Sequence, residues 1–194
     1  MSDKAARKKQ LILNKAKKVF SEKGFKDVTM KDIVEATEIS RGGLYIYFDS
    51  TEKILEELIR LESSEPDDVF ANSYKRSSTA GDILALFLKE QKKELLEKDN
   101  MAVAMYEYLF MKKMRGDADT KVNNRFTSVV EIISHLIENG VENGEFYCED
   151  PMGAARNIMY VIEGLKIASK TYTITENEID QELVYLMSSL IAED

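Results

Sequence analysis

Tryptophan is absent from this 194-residue chain, cysteine and histidine occur once each, and proline only twice. Each shortage excludes something. Cys148 alone closes no internal disulfide and builds no multi-cysteine zinc site. It reads as a reduced thiol, with nothing basic beside it in sequence to make it a redox sensor. The single histidine, His135, cannot supply the paired Glu-x-x-His motifs of a di-iron bundle, and it leaves acid–base chemistry to carboxylates. No Gly-rich phosphate loop, G-x-S-x-G or H-E-x-x-H occurs. No enzyme, cofactor or metal is therefore expected. No apolar run is long enough to span a bilayer. The opening MSDKAARKKQ lacks the apolar core of a signal peptide, so a cytoplasmic protein without a membrane partner is expected.

Few prolines amid abundant Ala, Leu, Ile, Met, Glu and Lys favour helices. The net charge is −8, a poor fit to a nucleic-acid binder until it is divided along the chain. Residues 1–50 hold 11 Lys/Arg against 7 Asp/Glu, whereas residues 51–194 hold 16 against 28. A basic head on an acidic body brings only the head to phosphate.

The helices can be placed from periodicity and caps. Ile12, Ala16, Val19 and Phe20 form one apolar stripe of a first helix over residues 5–23, which Gly24 ends. Thr29, with Asp32 three positions on, opens a short second helix ending near Ala36. Ser40 caps a third helix over Arg41 to Tyr47, and a fourth starts at Thr51 or Glu52. Short helix, tight turn and short helix, packed on a striped first helix, describe a helix-turn-helix. Its core would be Ile33, Ala36, Ile39, Leu44 and Phe48 against Val19 and Phe20. Later helices follow an interruption around Pro66. They are marked by Ile83, Phe87, Leu88 and Leu95, by a Met101–Met114 segment apolar nearly all round, and by a Val122–Val141 stripe ending at Gly144. Asp150-Pro151 and the Thr175/Glu178 capping box start the last two. The fold class is all-α: a three-helix head over residues 1–50 and a helical ligand-binding and dimerisation domain over residues 51–194.

Residues 12–59, ILNKAKKVFSEKGFKDVTMKDIVEATEISRGGLYIYFDSTEKILEELI, resemble the DNA-binding head of the TetR family of regulators. The matching positions are Ala16, Phe20, Gly24, Thr29 and Ile33, then Ser40 through Phe48, then Ser50, Glu52 and Leu55. The resemblance implies a homodimeric switch on double-stranded operator DNA, most simply a repressor that a small apolar or amphipathic inducer releases. In such a head the third helix enters the major groove. Arg41 then suits a bidentate bond to guanine, while Gly42 and Gly43 leave no side chain and let the backbone approach. Tyr47 suits a phosphate, and Tyr45 is open between a phosphate contact and core packing. Thr29 and the start of the second helix suit another phosphate. Ser40, Lys31 and Lys53 complete the expected DNA-facing set, with Lys4, Arg7, Lys8 and Lys9 as tail contacts. The family usually has glycine where this chain has Glu38, and commonly lysine where it has Thr51. Lys53 is the nearest substitute for that lysine. A left-handed Glu38 would cost about 1 kcal/mol.

In relatives the later helices enclose an inducer pocket. Met101, Met105, Tyr106, Tyr108, Phe110 and Met111 are the candidates here, with plain core as the other reading of each. His135 is either a core or interface histidine or a ligand contact. The apolar faces of the last two helices, through Ile158, Ile162, Leu165, Leu183, Met187 and Leu190, are candidates for a two-fold four-helix interface, unless they are consumed within one subunit. The rival to the regulator is a helical small-molecule-binding or scaffold protein without sequence-specific DNA binding.

Overall fold

The computed structural model describes residues 3–62, 79–97, 100–117 and 120–191. The expected interruption at Pro66 lies outside them, as does the side chain of Val122. Among the described residues the chain forms nine helices and no strand, so the all-α expectation is met. They are α1 (Asp3–Lys23), α2 (Met30–Thr37), α3 (Arg41–Tyr45), α4 (Thr51–Glu62), α5 (Ala80–Leu96), α6 (Ala102–Met114), α7 (Thr120–Glu142), α8 (Pro151–Thr171) and α9 (Glu176–Ser188). Their starts are chemically marked. Thr29, Thr79 and Thr175 each form a reciprocal capping box with the acidic residue three positions on. Asp150 caps α8, with Pro151 in its first turn.

The helices pack as two compact units. In the first, Ile12, Ala16 and Phe20 on α1 are completely buried against Ile33 of α2 and Leu44 of α3. α3 is shorter than its sequence implies. The N–H groups of Tyr47 and Phe48 both bond to the Leu44 carbonyl, at 2.9 and 3.1 Å, so regular helix ends at Tyr45 and Ile46 follows in a last, tighter helical turn. Ala36 and Ile39, expected in this core, are only partly buried against it.

A division after residue 50 is not how the chain packs. Ile54, Leu55 and Leu58 of α4, with Met101 just before α6 and Ala104 and Tyr108 within it, fill the same core as the head. Three short helices enclose too little apolar surface to stand alone, and α4 and α6 supply the rest. Tyr108 meets Phe25 edge-on at 5.5 Å, and its hydroxyl donates to Glu56 Oε1 at 3.0 Å. Glu107 Oε2 accepts the N–H groups of Phe25, at 2.6 Å, and Lys26, at 3.0 Å, beyond the end of α1. Gly24 has φ +76°, and a Cβ there would lie 2.7 Å from the same carboxylate oxygen, so only glycine fits this turn. α6 is not buried all round: Phe110 and Met114 are exposed.

In the second unit α7 packs along α8, and α5 packs against both of them and against α9. Its core includes Leu84, Phe87, Ile133, Leu136, Ile158 and Ile162. The side chains expected at a dimer interface belong to this core. Ile158, Ile162, Leu165, Leu183 and Leu190 are buried within the chain, and Met187 packs partly against them. A helical apolar stripe does not declare whether it faces its own core or a partner, and here it faces its own. What α8 and α9 leave uncovered is a different set: Tyr160, Ile167, Val184 and Tyr185. Cys148 is half-buried beside the core.

Candidate nucleic-acid interface

Glu38 sets up the turn between α2 and α3. Its φ of 57° and ψ of 21° are left-handed, and its N–H closes α2 on the Val34 carbonyl at 3.0 Å. It is the one described residue other than glycine with positive φ. Ser40 Oγ then accepts the Gly43 N–H at 3.2 Å and starts α3.

The two glycines of α3 do different jobs. A Cβ on Gly43 would sit 2.9 Å from Ile39 Cγ2 and 3.0 Å from Ser40 Oγ, so glycine there serves the turn's own packing. A Cβ on Gly42 would meet nothing within 4 Å, so that position is open to a docking surface. Arg41 is exposed, with its guanidinium carbon 5.7 Å from the centre of the Tyr45 ring, a cation–π contact that pre-orients it. Tyr45 is exposed, whereas Tyr47 packs partly against the core, so of the two tyrosines Tyr45 has the freer face. Lys8 is exposed on α1, with its Nζ 3.9 Å from where a Gly43 Cβ would lie. That puts an α1 ammonium directly beside α3, a neighbour that sequence reading had treated as tail. Ile46, part of the Ser40–Phe48 signature but with no role expected from the sequence, is 80% exposed at the end of α3. Its only signal in the sequence is its place between two tyrosines.

Other candidates are less free. Thr29 is exposed, but its N–H and hydroxyl both donate to Asp32 Oδ2, at 2.8 and 2.6 Å. Lys23, 2.6 Å from the other carboxylate oxygen, together with the Thr29 bonds, holds Asp32 well below the usual carboxylate range. The start of α2 thus already carries an anion of its own, which competes with the phosphate expected there. Lys31 is exposed, 3.7 Å from Glu35. Lys53 is exposed with its Nζ 2.7 Å from Glu56, a bond that raises its pKa. Lys9 lies 2.6 Å from Glu57, tying α1 to α4. Such surface pairs are weak and exchange readily for phosphate.

The expected inducer contacts fall on both units. Met101 and Tyr108 are core residues of the first unit, Met105, Tyr106 and Met111 are half-buried, and Phe110 is 62% exposed. His135 is exposed on α7, with Nδ1 2.9 Å from Glu138 Oε2. The methionines and tyrosines of α6 reflect a helix that crosses the head's core on one face only.

No group of three or more His, Cys, Asp or Glu that could hold a metal occurs among the described residues, and none of their buried side-chain nitrogens or oxygens lacks a partner. No described helix is long and apolar enough to cross a membrane. The arrangement that remains is an exposed cationic and aromatic surface on a short capped helix.

Comparison with known proteins agrees. Residues 12–58 match the model of bacterial regulatory proteins of the tetR family, and residues 83–180 match the tetracyclin repressor-like C-terminal domain. The chain is 30% identical over 190 residues to YfiR, an uncharacterized HTH-type transcriptional regulator of Bacillus subtilis (strain 168), covering 88% of this chain and 92% of that one. It is 29% identical over 147 residues to the HTH-type transcriptional repressor KstR2 of Rhodococcus jostii (strain RHA1), covering 75% and 70%. A TetR transcription regulator from Haloarcula marismortui shares the fold, with a TM-score of 0.81 at 16% identity, over 96% of this chain and 100% of that one. A helix-turn-helix that presents Arg41, Tyr45 and Lys8 outward, inside a chain matched at both ends by one family, leads to one conclusion: this protein belongs to the TetR family and is a DNA-binding transcriptional regulator, not an enzyme.

Proposed function

We propose that the protein is a cytoplasmic repressor that binds its operator as a homodimer and leaves it when a small apolar or amphipathic molecule binds. The observation that carries the DNA side is the Arg41–Tyr45 pair on α3, exposed and beside Lys8, with the Gly42 position bare between helix and solvent. Arg41 reads a guanine, and Tyr45, Ser40, Lys8, Lys31 and Lys53 hold the phosphates around it. DNA contacts thus fall to residues 1–50 and Lys53, and ligand and dimer functions to the remainder. Repression is the sign that the name of the Rhodococcus relative carries.

An apolar inducer is favoured by what the second unit turns inward. Among its described residues Ser134 is the one buried polar side chain amid aliphatic and aromatic ones. Such a ligand releases DNA only by its differential affinity for the two states of the dimer. The partner subunit is expected against the face of Tyr160, Ile167, Val184 and Tyr185, whose exposure in one chain is what an isologous interface removes.

The test is binding of the full chain to labelled duplex from upstream of its own gene, against scrambled duplex, over a range of salt. Selective binding that weakens steeply with salt is expected. Arg41→Ala should lose the preference, about 1–3 kcal/mol, while remaining folded and dimeric. Binding indifferent to sequence, on this duplex and on genomic fragments alike, would leave the rival scaffold reading in place.

A further inference from the structure

We infer that Ile46 reads a thymine in the major groove by packing its side chain on the base's 5-methyl group. The inference rests on the DNA-binding reading above and names a specificity residue within it.

Ile46 is 80% exposed, more than any other described isoleucine, leucine or valine. Nothing in the fold repays that exposure. A β-branched side chain is no aid to a helix end, and this one adds no core contact. Its backbone continues the helical path of α3, with φ −64° and ψ −28°. Positions four apart share a helix face, so Ile46 lies one turn beyond Gly42 on one stripe, as Tyr45 lies one turn beyond Arg41 on the next. At Gly42 itself there is no side chain and nothing within 4 Å of where one would start. The result is an apolar tip one turn beyond bare backbone, next in sequence to Tyr45 of the Arg41–Tyr45 cation–π pair, on a helix whose Gly43 has Lys8 Nζ 3.9 Å from where its Cβ would lie.

That surface fits a duplex better than it fits an apolar protein partner. A single exposed aliphatic group shares its short helix with the Arg41 cation and with the open Gly42 position. In the major groove thymine alone presents a methyl group, and an aliphatic side chain is the partner it selects. Ile46 is five positions beyond Arg41, roughly 7 Å along a helix, which corresponds to about two base-pair steps. The thymine therefore lies in the same half-site as the guanine that Arg41 reads, on the order of two pairs away.

The experiment begins with duplexes selected from a randomised pool by the full-length dimer. Each thymine of the selected site is then replaced singly by deoxyuridine, which lacks only the methyl group. Affinities are measured for the natural protein and for Ile46→Ala, whose fold is checked by circular dichroism. At one position per half-site, uracil should weaken the natural protein about fourfold, the worth of one buried methyl group. Ile46→Ala should be weaker on thymine and indifferent to uracil at that position. The inference is overturned if no uracil weakens the natural protein, or if Ile46→Ala keeps the same uracil sensitivity. Failure to select any sequence would overturn the DNA-binding reading itself, and a site selected without a methyl effect would overturn this inference alone.

Discussion

Replacing Glu38 by glycine should stabilise the protein, although it deletes a side chain. Glu38 holds φ 57° and ψ 21°, where an L-residue brings its Cβ against the following carbonyl. That conformation costs about 1–2 kcal/mol, and glycine avoids it. Glycine in turn gives the unfolded chain more freedom, which takes back roughly 0.5–1 kcal/mol. The net expected gain is about 0.5–1 kcal/mol, or on the order of 1–4 °C in melting temperature for a chain of this size. Thermal and urea unfolding followed by circular dichroism measure it. Two further variants separate strain from charge. Glu38→Asn removes the charge and tolerates the left-handed region, so it should gain part of the effect. Glu38→Ala removes the charge and keeps the strain, so its stability should stay near that of the natural protein. Equal stabilisation by alanine and glycine would refute the backbone argument and assign the effect to charge. All three variants remove a negative charge from the turn leading into α3. All three should therefore bind operator more tightly at low salt, by similar factors and independently of their stabilities.

Three other outcomes follow from the same geometry. Gly42→Ala meets no atom within 4 Å, so it should raise stability by about 0.5 kcal/mol while weakening operator binding; an unchanged affinity would mean that DNA does not approach this face. Glu57 is held down to about 2 from an ordinary 4.5, first by the hydrogen bond from Arg60 and then by that from Lys9. Because the folded-state value is the lower one, this contribution is complete above pH 4.5 and is lost as pH falls towards 2. Unfolding measured across that range should show the natural protein losing stability more steeply than Glu57→Gln, and parallel profiles would count against the assignment. Tyr185→Asp should yield folded monomers in analytical ultracentrifugation, since Tyr185 is 68% exposed, whereas Leu183→Asp should unfold the chain from within. A dimer surviving Tyr185→Asp would place the interface on another face.

Much of this molecule is local chemistry, and local chemistry is written in the sequence. The Thr29/Asp32 and Thr175/Glu178 boxes, the Asp150-Pro151 start and the Ser40 cap each depend on residues within four positions of one another, and all form as expected. The short connection before α3 is legible in the sequence, but its left-handed residue is implied only by the family resemblance, which places glycine where this chain has Glu38. The basic head and its signature, Ser40 through Phe48, carried the function, because the base-reading helix is one short stretch of chain.

Tertiary structure decided which neighbour each apolar face meets. Periodicity shows that Ile158, Ile162, Leu183 and Leu190 lie on apolar stripes, but a stripe is equally satisfied by its own subunit or by a second one; packing buries these within one chain and leaves Tyr160 and Tyr185 outside. The same ambiguity left Met101 and Tyr108 open between pocket and core; they are buried in the cluster that holds Phe25, a residue about eighty positions earlier. Close approaches were equally hidden. That Gly43 yields to Ile39 while Gly42 stays open, and that Glu107 caps the turn after α1, depends on distances between atoms and not on residue order. The sequence by itself determined the helices, their caps and the family of the head. Only the packed chain decided which side chains remain free to meet DNA or a second subunit, because burial belongs to the whole chain and no short segment encodes it.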